Sequence, residues 1–164
     1  MILVAHSNNL VRQRALQDMF MLAQWDTQNG QLLLQHKSFH SWLLELLTPY
    51  QHEIKKSDQA KAVYDMGTKL HTLLLKNSCL GPEEDEGFKK LNLLARWPVV
   101  CQEKGIEVTL AHDLTNALII QLTSVLTNIP SAIKNLTHLT LQVHELLLSS
   151  SDSSPKSSKP EQKG

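Results

Sequence analysis

Histidine is the residue type in this chain with the widest reach in chemistry, and eight are present. His36 and His40 stand four residues apart, a spacing that sets two imidazoles on one helix face, where they could share a metal ion. A zinc site needs a third and usually a fourth ligand from Cys, Asp or Glu, and none is spaced to join this pair. His144-Glu145 lacks the second histidine of an HExxH helix. Cys79 and Cys101 are too few for a disulfide framework and belong to no nucleophile motif; they read as reduced, structural thiols. The glycines at 30, 67, 81, 87, 105 and 164 stand singly, so there is no phosphate-cradling loop, and no GxSxG elbow occurs. The one carboxylate cluster, Glu83-Glu84-Asp85-Glu86, follows Gly81-Pro82. It suits a helix N-terminus, where the backbone dipole favours negative charge; an acidic docking patch for a basic partner is the other reading. These residues lead to the expectation of no catalytic, cofactor or metal site.

Large apolar side chains remain as candidates for function. Trp25, Trp42 and Trp97 fall near helix ends or on apolar stripes. Core packing is the default for each, although tryptophan is also favoured in binding hot spots. Ile119 and Ile120 widen the apolar arc of their segment until most of its circumference is apolar, which demands neighbours on both sides or a partner. Trp42, Trp97, Ile119 and Ile120 are therefore the candidate partner-binding residues.

The elements that must hold these residues read as helices. Ala15, Leu16, Met19, Phe20 and Ala23 recur at helical spacing behind the capping residues Ser7, Asn8 and Asn9, with Asn29-Gly30 as the closing turn. A second segment, about 31–48, carries Phe39, Trp42, Leu43, Leu46 and Leu47, with Ser38 placed to cap a renewed helix and Pro49 to stop it. Residues 51–56 read as a loop. Ser57 or Asp58 then caps a helix bearing Val63, Met66, Leu70, Leu73 and Leu74, whose Gly67 suits a close approach between helices. Phe88, Leu91, Leu94 and Ala95 form a helix expected to end at Trp97-Pro98, with a short piece at 99–101 closed by Lys104-Gly105. A helix over about 109–127 carries Leu110, Leu114, Leu118, Leu122 and Val125 on one side, and a last one over about 131–148 carries Ile133, Leu136, Leu139, Val143, Leu146 and Leu147. The expected fold is all-α, an armadillo/HEAT-like helical array or irregular bundle over residues 1–148. Residues 149–164, rich in Ser, Lys and Pro, have nothing to bury and are expected to be a disordered tail.

Composition narrows the function. Lys plus Arg and Asp plus Glu balance at 16 each, which argues against nucleic acid as the main ligand. No stretch reaches the ~20 apolar residues of a membrane span, and the N-terminal apolar run is too short for a signal peptide. A cytoplasmic protein is expected, with at most peripheral membrane association through its partners.

The run Asn8-Asn9-Leu10-Val11-Arg12-Gln13-Arg14-Ala15-Leu16, then Met19-Phe20 and Phe39-His40-Ser41-Trp42-Leu43-Leu44, resembles the armadillo-type helical regions of very large vesicle-trafficking scaffolds. Among these, the BEACH-domain proteins, neurobeachin-like ones especially, are the most similar. The resemblance covers roughly the first two thirds of the chain. It implies a scaffold role in membrane traffic and, since no BEACH module or WD40 repeat is recognisable, a fragment, short isoform or truncated relative. Two other functions stay open: a fragment with little activity alone, and a small helical protein whose Leu-, Met- and Ile-lined pocket holds a lipid.

Overall fold

The structure is a computed structural model that describes residues 7–36, 38–80, 84–128 and 130–151. The fold is all-α. Its helices are α1 (Asn9–Trp25), α2 (Thr27–Gln35), α3 (Phe39–Leu47), α4 (Tyr50–Glu53), α5 (Asp58–Leu80), α6 (Glu84–Glu103), α7 (Val108–Val125) and α8 (Pro130–Ser151). The final helix runs past Leu148 to Ser151, and the rest of the expected tail lies outside the described residues, as do the side chains of the acidic run at 83–86.

Helix α1 starts where its capping signal places it: Asn8 Oδ1 accepts the N–H of Val11 at 3.0 Å. Its end differs from the sequence reading. Asn29-Gly30 is not a turn but part of α2, and the break falls at Asp26. The extended Asp26 donates its backbone N–H to the Leu22 carbonyl, and its carboxylate accepts from Gln28 N at 2.9 Å. One residue thus ends α1 and caps α2. Asn29 Nδ2 donates to the Leu22 carbonyl at 3.0 Å, so the amide expected to make a turn satisfies the end of α1 from inside the next helix.

Two further boundaries move for reasons of burial. The expected loop at 51–56 contains the single-turn helix α4, which sets Tyr50 in the core. Tyr50 Oη donates to Asn9 Oδ1 and accepts from Arg12 Nη1, each at 2.7 Å, fixing the start of α1. The expected stop at Trp97-Pro98 does not occur, and α6 continues to Glu103 with Pro98 inside it. A proline costs a helix interior roughly 3 kcal/mol. Here Leu91, Leu94, Ala95, Pro98 and Cys101 form one buried stripe at helical spacing, and stopping at Trp97 would expose half of it. The helix closes instead at Gly105, whose φ of 70° lets Ile106 N donate to the Cys101 carbonyl at 2.8 Å.

The helices form two layers. Pairs across α5 and α7 keep one separation in sequence: Thr72 bonds to Gln121, and, beyond the effect of burial, the Asp113 carboxylate is near enough to raise the Tyr64 hydroxyl's pKa, both 49 residues apart (121 − 72 and 113 − 64), so the two packed helices run side by side in the same direction. Helix α1 packs along the other flank of α5, its first turn beside Tyr50 and its Ala23 near Leu74 through Gly30. On the opposite side lie α3, α6 and α8. Helix α3 runs against the direction of α5, with His40 opposite His71 and Leu47 opposite Gly67. Helix α6 packs on both α5 and α7, and α8 on α6 and α7. The core between the layers is leucine-dominated, as its stripes require: Leu16, Leu43, Leu70, Leu74, Leu91, Leu114 and Leu118 are fully buried. Among the described residues no helix is long and apolar enough to cross a membrane.

Gly67 marks the closest approach of α3 and α5. A Cβ there would overlap Leu47 Cδ2 and stand 3.2 Å from Leu47 Cγ, so turning the isopropyl group alone would not clear it. Leu47 is fully buried and has little room to move. Gly67→Ala is expected to lower the stability by about 1–2 kcal/mol, overpacking outweighing the ~1 kcal/mol that alanine gains in helix propensity. In a Leu47→Ala background the same change should stabilise. Urea midpoints of the four proteins check both signs, and a stabilising effect in both backgrounds would show the approach to be loose.

Candidate interaction surface

The outer face of the α1–α5–α7 layer carries a cleft of about 390 Å³ along α5. Asp65, Lys69, Thr72, Leu73 and Lys76 contribute to it from positions i, i+4, i+7, i+8 and i+11 of α5, one face of that helix. Phe20 of α1 and Val125 of α7 close its two sides and, with Leu73, make its apolar surface. Val125 is exposed, and Phe20 and Leu73 are half-buried. Thr72 donates its hydroxyl to Gln121 Oε1 at 2.9 Å, which holds the Gln121 side chain across the cleft and leaves its amide N–H groups as donors. No described carboxylate forms an ion pair with Lys69 or Lys76.

The four residues singled out from the sequence do not come together. Trp97 is only 3% exposed and Ile119 only 5%. Burial removes both from the candidate surface. Trp97 lies between α6 and α3, donating Nε1 to Thr48 Oγ1 at 3.0 Å, and Ile119 faces the core side of α7. Trp42 is half-buried, its ring 5.4 Å from that of Phe39. Ile120 alone is open to solvent, at 69%, on α7 next to Gln121 of the cleft.

Core packing is the default for Trp25, but its exposure is 88%, with Met21 and Leu22 also exposed one turn before it. The signal was present in the spacing. Trp25 stands nine residues beyond the buried Leu16, which at ~100° per residue puts it on the opposite side of α1.

The histidines settle into unrelated roles. His36 and His40 do not share a helix face, because α2 ends at Gln35; His36 is exposed and bonds to Ser38 Oγ at 3.0 Å. The partner of His40 is His71, with His71 Nε2 2.7 Å from His40 Nδ1 and both rings buried. Burial holds the pKa of His40 down to about 4, assisted by the Lys90 ammonium, and holds that of His71 well below the ordinary imidazole range. With both rings neutral, one shared proton serves the contact. The outer nitrogens, His40 Nε2 and His71 Nδ1, have no hydrogen-bond partner among the described residues. Among the described residues no three His, Cys, Asp or Glu side chains converge as a metal site would require. Cys79 and Cys101 are both buried thiols outside any disulfide, and burial pushes the Cys101 thiol up to about 11, far from the thiolate a nucleophile needs.

No family model, no curated protein and no solved structure matches this chain.

Proposed function

We propose that the chain is a non-enzymatic protein-interaction segment that receives a partner on the outer face of α1, α5 and α7. The observation that carries this reading is the cleft along α5, where apolar side chains from three helices meet hydrogen-bond donors that the fold leaves unused. Helix-in-groove recognition requires an apolar trough with a polar rim of this kind. Side-by-side helices in one layer support the armadillo/HEAT-like part of the reading, the 49-residue spacing of α5 and α7 being slightly longer than units of about 40–47 residues. Within it, a place in a BEACH-type, neurobeachin-like trafficking scaffold on the cytoplasmic side of membranes rests on the sequence resemblance alone. A lipid as occupant is the weaker alternative, because the trough is open and rimmed by Lys69, Lys76 and Gln121 rather than enclosed.

A photo-crosslinking amino acid in place of Gln121, within the cleft, is expected to capture partner protein in cells. The same group in place of the exposed Gln102 on α6 should not, and Val125→Arg should abolish capture from position 121. Equal capture from both positions, or capture that survives Val125→Arg, would remove the cleft from the account.

A further inference from the structure

We infer that the occupant of the cleft is an amphipathic helix of a partner protein carrying carboxylates two turns apart; this rests on the reading of the cleft as a docking site. The inference begins with Lys69 and Lys76. They stand two turns apart on the cleft face of α5, which places their stems about 10 Å apart along the axis. Neither is neutralised by a described carboxylate. Between them lies Leu73, with Phe20 and Val125 on either side, so the order along the trough is cation, apolar floor, cation.

The Gln121 amide adds to this order. The Thr72 hydroxyl is committed to Gln121 Oε1, so the Gln121 side chain presents donors to the space above. The Thr68, Thr72 and Ser124 hydroxyls have their protons committed within the fold and keep only acceptor oxygens, whereas Lys69, Lys76 and the Gln121 amide supply the charged and amide donors, so a ligand seated over the two lysines is asked chiefly for acceptors. Carboxylates at i and i+7 of a helix match the lysine spacing, and apolar residues at i+3 and i+4 of that helix fall on Leu73, Phe20 and Val125. Asp65 gives the trough a direction. It lies one turn before Lys69, so a basic residue of the partner belongs at that end and the carboxylates toward Lys76.

The test is a display library of helical 18-residue peptides, randomised on one face, selected against the full chain. Enriched peptides should carry acidic residues seven apart with apolar residues between. Their affinity should fall by about tenfold or more on K69E/K76E, and peptides with those acids changed to lysine should regain it on that variant. Unchanged helicity and melting temperature show that the variant is folded; K69Q/K76Q, expected to give a smaller loss, serves if it is not. Neutral or basic peptides that still depend on Val125 would overturn the acidic partner and leave the cleft as a docking site. Peptides indifferent to Val125→Arg would overturn both. Concentration-dependent dimerisation blocked by Val125→Arg would assign the cleft to a second copy and overturn the acidic partner.

Discussion

Acidification from pH 7 to pH 5 should destabilise this fold by about 2 kcal/mol through His40 alone, and by more once His71 adds to it. The sign follows from where each state binds protons. In the unfolded chain both imidazoles titrate near the ordinary value of 6.5, whereas in the folded chain burial holds His40 down to about 4 and His71 well below its usual range. Stability is complete above pH 6.5, falls as the unfolded state gains protons that the folded state refuses, and stops falling through His40 only below about pH 4. His112, which burial also depresses, contributes in the same direction. Glu107, whose carboxylate is held low by bonds from Thr109 and His52, loses its stabilisation only below the usual carboxylate range and so acts later in the titration.

The buried pair can be isolated by replacing both members. H40L/H71L removes the outer nitrogens that have no partner as well as the shared contact, so its stability at pH 7 should equal or exceed the parent's. The urea midpoint of the double variant should change less between pH 7 and pH 5 than the parent's. Parallel pH dependences for the two proteins would show that the pair carries none of the acid sensitivity. His71→Leu alone is the harsher change, since it leaves His40 Nδ1 buried without the His71 nitrogen that meets it.

How far the sequence reads through to the structure depends on whether a residue's environment is set locally. Leucine stripes at three- and four-residue spacing place Leu43, Leu70, Leu94 and Leu118 in the core because a helix face has only one side to bury. Asn8, Gly105 and the close approach at Gly67 are legible for the same reason, each being a short-range constraint. Asn29-Gly30 and Trp97-Pro98 misread because their local turn and break tendencies are overridden by packing partners far along the chain, Leu74 for the first and Thr48 for the second. The cleft was half visible. Lys69, Leu73 and Lys76 share a face that any helical wheel shows, but that face acquires walls only when Phe20 and Val125 arrive from helices about 50 residues away on either side. Nothing in the spacing of His40 and His71 announces their contact either, since 31 residues separate them.

Trp97 and Trp25 should respond to truncation in opposite ways, although core packing is the default reading of both and Trp97 is the one also offered as a partner anchor. Trp97→Ala should cost about 3–5 kcal/mol, the range for emptying a large aromatic site in a core. Part of that loss is polar. The Thr48 hydroxyl gives its one proton to the Leu44 carbonyl at 2.7 Å and can therefore only accept from the indole, which can only donate, so the two bonds form a chain with one direction. Trp97→Phe keeps most of the buried ring and breaks that chain, and should cost about 1 kcal/mol beyond the lost area. The cost should be smaller in a Thr48→Val background, where no acceptor is left waiting. Trp25→Ala should shift stability by no more than about 0.5 kcal/mol, because nearly all of that ring already faces water. Urea midpoints of the variants decide the matter, and a Trp97→Ala protein as stable as Trp25→Ala would mean that α6 does not seat its tryptophan against α3 in solution. If the expected asymmetry is found, any loss of partner binding in Trp25→Ala belongs to a surface, whereas the same loss in Trp97→Ala reports only on the fold beneath it.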